Sequence, residues 1–459
     1  MPEPTIKIDN ARYIVTMDPE RRIIADGSVV ISGSRITHVG KAAELAGVDA
    51  DTVIDGSGMV ATPGFINGHM HISYAHTVRG LFPDDLGAEY LPNVFRLQAA
   101  MTAEDEYATS LLAITELLKY GTTTFIDPGT TTHLDVCLEA YRLSGCRIIV
   151  GRNVQDRPNP LNLPVYDTDD AIRETQEAID RYHGANDGLV SAWAMPFTPE
   201  FCSAELLAAA QTIAESAGTR STLHFNNGGR WIQHCRQEHD CTPTEYLERC
   251  GVLTPSMTLA HCLGIGDDEA RLIAQQGAAV VMCPTAAVKG GAGTAQRGLL
   301  PELLNYGATV GLGTDAGNNS NLLETLRSVY LAAVLYKDGR QDVGMIPAET
   351  ALELGTIRGA EALGLGDITG SIEPGKAADI VMFDTRRSEW AALHNPVNSL
   401  VYNADGRSVH TVLVNGRVVV ENHQALFVDE PALVADVQQK GDALIERAAV
   451  SFPSRWPVV

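Results

Sequence analysis

Two histidines separated by one residue, His69 and His71, follow a short apolar segment at residues 60–68. On an extended strand, the side chains of residues i and i+2 point to the same side, so both imidazoles project from one strand end. Neutral imidazole is a good ligand for Zn²⁺ and other borderline divalent metals. Such pairs also occur by chance on protein surfaces, so this pair predicts a metal site only if other ligands converge on it.

The middle of the chain, residues 62–375, alternates between strand patterns and helix patterns. Short apolar stretches predict buried strands at 122–126, 147–150, 189–193, 221–224, 258–261, 279–282 and 309–313. Helical periodicity separates most of them, for example at 102–120, 203–218 and 265–276. With the strand before His69, this alternation makes eight strand-then-helix steps and predicts an α/β fold, a (β/α)8 TIM-like barrel. An open, doubly wound sheet is the alternative.

Both ends of the chain are rich in strand patterns, and the turn Asn415-Gly416 predicts a hairpin. We therefore predict one small β-sandwich domain built from both chain ends, residues 1–61 and 376–430. Residues 431–459 are predicted to form a C-terminal helix and a tail.

The net charge of −23 excludes nucleic acid and anionic lipid as main partners, because both would be repelled. No apolar run reaches the roughly 20 residues that span a bilayer. No signal-peptide pattern stands at the N-terminus. The eight cysteines include no Cys-x-x-Cys pair and indicate reduced thiols. The sequence thus favours a cytoplasmic protein that acts on a small molecule, without a nucleic-acid or membrane partner.

Three further metal-competent side chains stand at the ends of predicted strands. His224 ends the fifth strand, His261 ends the sixth, and Asp315 follows the eighth. Each has a simpler alternative, since a histidine can be a hydrogen-bonded core residue and an aspartate can cap a turn or helix. In a (β/α)8 barrel, however, catalytic groups stand together at the carboxyl ends of the strands. Their joint placement with His69 and His71 therefore predicts one metal site.

Three segments of the chain, residues 62–71, 313–315 and 370–379, resemble the amidohydrolase superfamily, and the resemblance covers almost the whole chain. It implies that His69, His71, His224 and Asp315 bind one divalent metal ion, with His261 beside it. Binuclear members bridge two metals through a carboxylated lysine on the fourth strand. Residues 189–193 contain no lysine, so a single ion is favoured. Zn²⁺ is the first choice, with Fe²⁺, Co²⁺ and Mn²⁺ as alternatives, and family members suggest a homo-oligomer.

The chemistry expected of this site is hydrolysis at an sp² carbon that carries a leaving group. A bound cation lowers the pKa of its water from 15.7 toward about 7 and so supplies hydroxide at neutral pH. Asp315 is expected to take the proton of that water and to pass it to the leaving amine. His261 is expected to polarise the substrate's carbonyl oxygen. Asp315 and His261 are therefore the predicted catalytic residues.

Two positions depart from the branch that the chain resembles most, which contains nucleobase and triazine deaminases and chlorohydrolases. Those deaminases usually carry a glutamate three residues after the strand-five metal histidine, where this chain has Asn227. They also commonly have a histidine where this chain has Met282. The glutamate protonates a ring nitrogen during deamination, and an amide cannot supply that proton.

We therefore expect cleavage of the carbonyl C–N or C–S bond of a urea, carbamate or amide, as in the phenylurea and molinate (thiocarbamate) herbicide hydrolases. An aminohydrolase or chlorohydrolase of a triazine or nucleobase is the alternative, and a non-catalytic metal-binding relative is a third hypothesis. Asn227, Tyr74, Phe82 and Trp193 are predicted to bind the substrate. The alternative is that the aromatic residues only pack their loops against the barrel and that the Asn227 amide only holds its own loop in place.

Overall fold

The computed structural model describes residues 3–73, 76–161, 163–225, 229–452 and 455–457. The strands are β1 (Thr5–Val15), β2 (Ile23–Ser32), β3 (Arg35–Lys41), β4 (Thr52–Asp55), β5 (Met59–Pro63), β6 (Phe65–Asn67), β7 (Thr122–Ile126), β8 (Arg147–Val150), β9 (Asn153–Val154), β10 (Val190–Ala192), β11 (Met195–Pro196), β12 (Ser221–Phe225), β13 (Met257–His261), β14 (Ala279–Met282), β15 (Val310–Leu312), β16 (Ile380–Asp384), β17 (Val409–Val414), β18 (Arg417–Glu421) and β19 (Gln424–Ala425). The α-helices are α1 (Tyr90–Ala99), α2 (Ala103–Lys119), α3 (Leu134–Ser144), α4 (Thr168–Tyr182), α5 (Ala204–Ser216), α6 (Gly229–His239), α7 (Pro243–Arg249), α8 (Asp267–Gln276), α9 (Pro284–Lys289), α10 (Thr294–Arg297), α11 (Leu300–Asn305), α12 (Thr325–Arg340), α13 (Ala348–Leu354), α14 (Ile357–Ala362), α15 (Pro396–Tyr402) and α16 (Glu430–Ala448). Short 3₁₀ helices lie at Gly87–Glu89, Pro199–Phe201, Ser388–Trp390 and Gly406–Ser408.

The seven strands predicted between residues 122 and 313 lie within one residue of their predicted ends, and the two-residue strands β9 and β11 were not predicted. Every residue of β7, β8 and β14 is buried. Parallel strands that are covered on both faces read as continuous apolar runs, as β14 does. β7 was recognisable from its β-branched and aromatic residues instead. The helices between them begin at recognisable caps as well. Thr102 caps α2, and its hydroxyl and the Asp105 carboxylate each accept a backbone N–H of the other residue.

These parallel strands form two four-stranded sheets, with orders β10-β8-β7-β6 and β12-β13-β14-β15. At one pair of edges, Ala194 and Ser221 form an isolated parallel bridge. At the other pair, the amide N–H of Gly68 donates to the carbonyl oxygen of Leu312 at 2.8 Å. The two sheets therefore meet at both edges, as the two halves of a (β/α)8 barrel do, and the carboxyl ends of their strands share one side.

The two ends of the chain build one further sheet. Its order is β19-β18-β17-β16-β5-β1-β2-β3, with β4 paired to β1. β5 joins the two ends because it pairs in parallel with β1 and antiparallel with β16, and it runs to Pro63, beyond the predicted boundary at residue 61. Both chain ends therefore contribute to one nine-stranded sheet, where a sandwich was predicted. The division of the chain into domains stays a prediction.

The eight cysteines are free thiols, and all except Cys250 are buried. Burial raises the pKa of Cys146 and Cys202 to about 12, so these thiols stay protonated at neutral pH. Among the helices of the described ranges, none is long and apolar enough to cross a membrane.

Candidate metal centre

Four histidines and one aspartate converge at the carboxyl ends of four parallel strands. His69 and His71 follow β6, His224 lies in β12, His261 ends β13 and Asp315 follows β15. The ligand atoms of His69, His224 and His261 lie within 4.8 Å of one another, as do those of His69, His71 and Asp315. The structure therefore brings together all five residues that the sequence predicted for the metal site.

Two of the spacings between ligand atoms fit a single tetrahedral zinc ion. The Nε2 atoms of His71 and His224 are 3.2 Å apart, and His71 Nε2 lies 3.4 Å from Asp315 Oδ1. Ligand atoms about 2.0–2.1 Å from a tetrahedral zinc are about 3.4 Å apart. Within the described ranges, the buried Nε2 atoms of His69 and His261 have no hydrogen-bond partner. A shared cation accounts for buried nitrogens that would otherwise be left unpaired.

Burial keeps these imidazoles neutral, which is the form that binds metal. It lowers the pKa of His69 well below its ordinary value, and the neighbouring imidazoles His261, His224 and His71 lower it further. Burial, followed by the charge of His261, lowers the pKa of His71 to about 3. The pKa of His224 and that of His261 are lowered mainly by burial as well.

The backbone holds two of these residues in a conformation that is rare for side chains other than glycine. The φ angle is 80° at His261 and 63° at Asp315, both in the left-handed region. Such a residue costs of order 1–3 kcal/mol and persists only where surrounding contacts fix it. At Asp315 those contacts come from the segment after β6, because the amide N–H groups of Thr314 and Asp315 both donate to the His69 carbonyl oxygen, at 3.2 and 2.9 Å.

The Asp315 carboxylate is also held by its own loop. Its Oδ1 accepts the amide N–H of Ala316 at 2.7 Å, and its Oδ2 accepts from Asn319 Nδ2 at 2.7 Å. The Asn319 amide oxygen in turn accepts from the Tyr90 hydroxyl. Burial is the main cause that raises the pKa of Tyr90, so this hydroxyl keeps its proton at neutral pH. A chain of hydrogen bonds therefore runs from Tyr90 to the predicted catalytic aspartate.

A second hydrogen-bonded chain lies behind His71 and was not predicted. The Thr130 hydroxyl oxygen is 3.2 Å from His71 Nδ1 and donates to Asp127 Oδ1 at 2.7 Å. The Thr131 hydroxyl donates to the other oxygen of Asp127 at 2.6 Å. Asp127 follows β7 directly, so its place after a predicted strand was the available signal. With Nδ1 engaged by Thr130, Nε2 of His71 faces Asp315 and His224.

A cavity of about 340 Å³ opens beside the metal-competent residues. His261 and Asp315 line it, together with Phe82, Tyr90, Lys289 and Asn318. Its volume falls in the range of roughly 300–1,000 Å³ that is typical of small-molecule sites. Of the residues predicted to bind substrate, Phe82 thus lies at this cavity, and its ring contacts that of Tyr90 with centroids 5.2 Å apart.

The structure does not bring Trp193, another predicted substrate residue, to the cavity. Trp193 lies in a buried apolar cluster with Ile66 and Ile149, and Arg220 lies over its ring at 5.8 Å. Arg220 precedes β12, whereas His224 lies toward the opposite end of that strand. Tyr74 and Asn227 lie outside the described residues.

Comparisons with known proteins agree on one family. The family model described as "Amidohydrolase family" matches residues 60–419. A 5-methylthioadenosine/S-adenosylhomocysteine deaminase of Pelotomaculum thermopropionicum is 31% identical over 437 residues, which are 95% of this chain and 98% of that protein. A 5'-deoxyadenosine deaminase of Methanosarcina barkeri is 30% identical over 444 residues, 96% of this chain and 99% of its own length.

Two solved structures are similar to this one over nearly the whole chain. A zinc-bound adenosine deaminase from Xanthomonas campestris superposes with a TM-score of 0.88 at 26% identity and covers 97% of this chain and 100% of its own. Atrazine chlorohydrolase TrzN from Arthrobacter aurescens, complexed with zinc, has a TM-score of 0.87 at 25% identity and covers 95% of this chain and 100% of its own.

Proposed function

We propose that this chain, which belongs to the amidohydrolase family, is a single-zinc hydrolase that displaces a leaving group from an sp² carbon of a small nitrogen-containing molecule. The observation that carries the proposal is the convergence of His69, His71, His224 and Asp315 with His261 at one end of the parallel strands. We also infer that the two four-stranded sheets close into the predicted (β/α)8 barrel, because they meet at both edges.

His69, His71, His224 and Asp315 would hold the ion. When bound, zinc lowers the pKa of a coordinated water and so makes a nucleophile available near neutral pH. Asp315, at both the metal cluster and the cavity, is placed to accept a proton and to pass it to the leaving amine. His261 lines the cavity with an unpartnered Nε2 among the described residues and is placed to hydrogen-bond the atom on which charge develops.

One substrate class is a ring carbon of an aminopurine nucleoside or a triazine, which would lose ammonia or chloride. The names of the relatives favour this class, since they are deaminases of adenosine-type nucleosides and a chlorohydrolase of atrazine. This class requires a residue that protonates the ring nitrogen, and the amide of Asn227 cannot supply that proton. Lys289 is a candidate, because it lines the cavity and its Nζ carries donors.

The second class is the carbonyl carbon of a urea, carbamate, thiocarbamate or amide, including herbicides of these types. One observation specifically favours it: Asn227 stands where the related deaminases carry the glutamate that protonates the ring. A carbonyl needs no ring protonation, so proton transfer through Asp315 suffices. The comparisons favour the ring-directed class, and this residue favours the carbonyl-directed one.

A single assay separates the two. Zinc-loaded protein is incubated with 5-methylthioadenosine, a chlorotriazine, a phenylurea and a thiocarbamate, and the products are identified by mass. Ammonia or chloride with an intact ring supports the first class, and release of an aniline, secondary amine or thiol supports the second. His69→Ala and Asp315→Ala should abolish turnover. Full activity in both variants, or no turnover of any substrate by zinc-loaded protein, would overturn the proposed function.

A further inference from the structure

Asn318 carries a buried amide that nothing in the described structure uses. The residue is 3% exposed and lies three positions after Asp315, on the wall of the same cavity. Neither its Nδ2 nor its Oδ1 has a hydrogen-bond partner among the described residues. An unpaired buried polar group is costly, so two of them in one side chain call for a partner that the described residues do not supply.

The neighbouring amide shows the contrast. Asn319 uses both ends of its side chain, because Nδ2 donates to Asp315 and Oδ1 accepts from Tyr90. Asn319 therefore serves the protein's own hydrogen-bonded chain, whereas the Asn318 amide remains available at the cavity.

The backbone around Asn318 is fixed, so its amide is presented in a defined place. Its carbonyl oxygen accepts from Lys289 Nζ at 3.2 Å. The amide N–H groups of Asn319 and Ser320, on the following two residues, both donate to the Ala316 carbonyl oxygen at 2.9 Å. A side chain that is positioned before the ligand arrives loses little conformational entropy on binding.

We propose that Asn318 binds the substrate through a paired contact, in which Nδ2 donates to an acceptor and Oδ1 accepts from an adjacent N–H. A carboxamide presents one donor and one acceptor side by side in a plane, and asparagine makes this pair with the amino group and ring nitrogen of adenine. The matching ligand is a planar group with an amino N–H next to an acceptor. This inference rests on the proposed function, because it names what that site binds.

The inference narrows the substrates within both proposed classes. An aminopurine or aminotriazine offers an amino group beside a ring nitrogen, and a primary amide or urea offers an NH₂ beside its carbonyl oxygen. A fully substituted amide or thiocarbamate has no N–H and cannot make the pair. Asn318 therefore selects for an unblocked amino group.

The test measures binding without turnover, so that its result is readable even if the proposed reaction fails. Dissociation constants are measured by calorimetry on zinc-loaded protein for two matched pairs of probes: 9-methyladenine against 6-dimethylamino-9-methylpurine, and benzamide against N,N-dimethylbenzamide. The variants are Asn318→Leu, which removes both polar atoms, and Asn318→Asp, which removes the donor. Asn398→Leu, at an exposed position of α15, is the matched control.

Wild-type protein should prefer the probe with the free amino group in at least one pair. Both Asn318 variants should weaken binding of that probe by roughly 5- to 150-fold, the range for one bidentate amide contact. They should leave binding of its dimethylated partner within about twofold and the zinc content unchanged, and the control should match wild type. An equal loss for both probes of a pair, no loss for either, or no binding of any amino probe to wild-type protein would overturn the proposal.

Discussion

Replacing Thr130 by valine should weaken zinc binding although Thr130 is not a metal ligand. The Thr130 hydroxyl lies between His71 Nδ1, at 3.2 Å, and Asp127 Oδ1, at 2.7 Å. Valine has nearly the same shape but cannot hydrogen-bond either group. The imidazole of His71 then loses the contact that fixes which nitrogen carries the proton and how the ring is turned.

The expected size of the effect follows from the two hydrogen bonds of the Thr130 hydroxyl. Removing a hydrogen-bonded partner of a metal-ligating histidine typically costs 10- to 100-fold in metal affinity, about 1.4–2.7 kcal/mol. The variant also leaves Asp127 Oδ1 without this donor, which costs roughly 1–3 kcal/mol of folding stability. Thr131→Val provides the matched control, because Thr131 donates to the other Asp127 oxygen at 2.6 Å. The two variants should therefore lose similar stability.

Zinc dissociation constants are measured by competition with a chromophoric chelator, and stability is measured by urea unfolding of the metal-free proteins. Thr130→Val should raise the zinc dissociation constant 10- to 100-fold over wild type, and Thr131→Val by less than about threefold. Equal zinc affinities in the two variants would refute the reasoning, because the hydrogen bond to His71 would then carry no part of the effect.

Three further predictions concern the glycine beside the metal centre, a buried carboxylate and the substrate class. Gly313→Ala should lower zinc affinity at least tenfold, roughly 1.4 kcal/mol, because a Cβ there would lie 2.7 Å from the His69 carbonyl oxygen. Gly47→Ala is the control, since a Cβ there would meet no atom within 4 Å, and it should match wild type in the same competition assay. Burial opposes ionisation of Glu116, but its neighbours His76 and Arg79 lower its pKa from 4.5 to about 2. The stability advantage of wild type over Glu116→Gln should therefore shrink as the pH falls from about 4.5 toward 2, measured by urea unfolding at each pH. If the substrate is an aminopurine or a triazine, Asn227→Glu should raise the deamination rate by roughly 10²- to 10⁴-fold, the usual contribution of a positioned general acid. An unchanged deamination rate on 5-methylthioadenosine, together with carbonyl cleavage by the wild-type protein, would instead favour the carbonyl-directed class.

The strands, and with them the placement of the metal-competent residues at strand ends, were predictable because buried strands carry a strong local signal. Buried parallel strands such as β14 are continuous apolar runs, and their ends fix where a side chain can reach the shared site. His224 and Asp315 therefore acquired meaning only through the predicted strands that precede them. The predicted homo-oligomer and cytoplasmic location stay predictions.

What the sequence could not supply is the packing of loops that follow different strands. Asp127 and Thr130 look like ordinary turn residues until the structure places them against His71, 59 positions away along the chain from Thr130. Asn318 resembles any loop amide, and only its burial and its polar atoms without a partner among the described residues distinguish it from Asn319. Trp193 was misjudged by proximity to a strand end, since the side to which a ring points depends on its neighbours in space.

The division between strand ends and loops explains why the family is clear while the substrate is not. Two of the metal-competent residues, His69 and Asp315, are tied to each other through the backbone, since the amide N–H groups of Thr314 and Asp315 both donate to the His69 carbonyl oxygen. Changing one of them would disturb its neighbours. Phe82 and Asn318 stand on loops and can change without moving the strands. Relatives about 30% identical to this chain can therefore share its metal-competent residues and differ in the substrate on which they act.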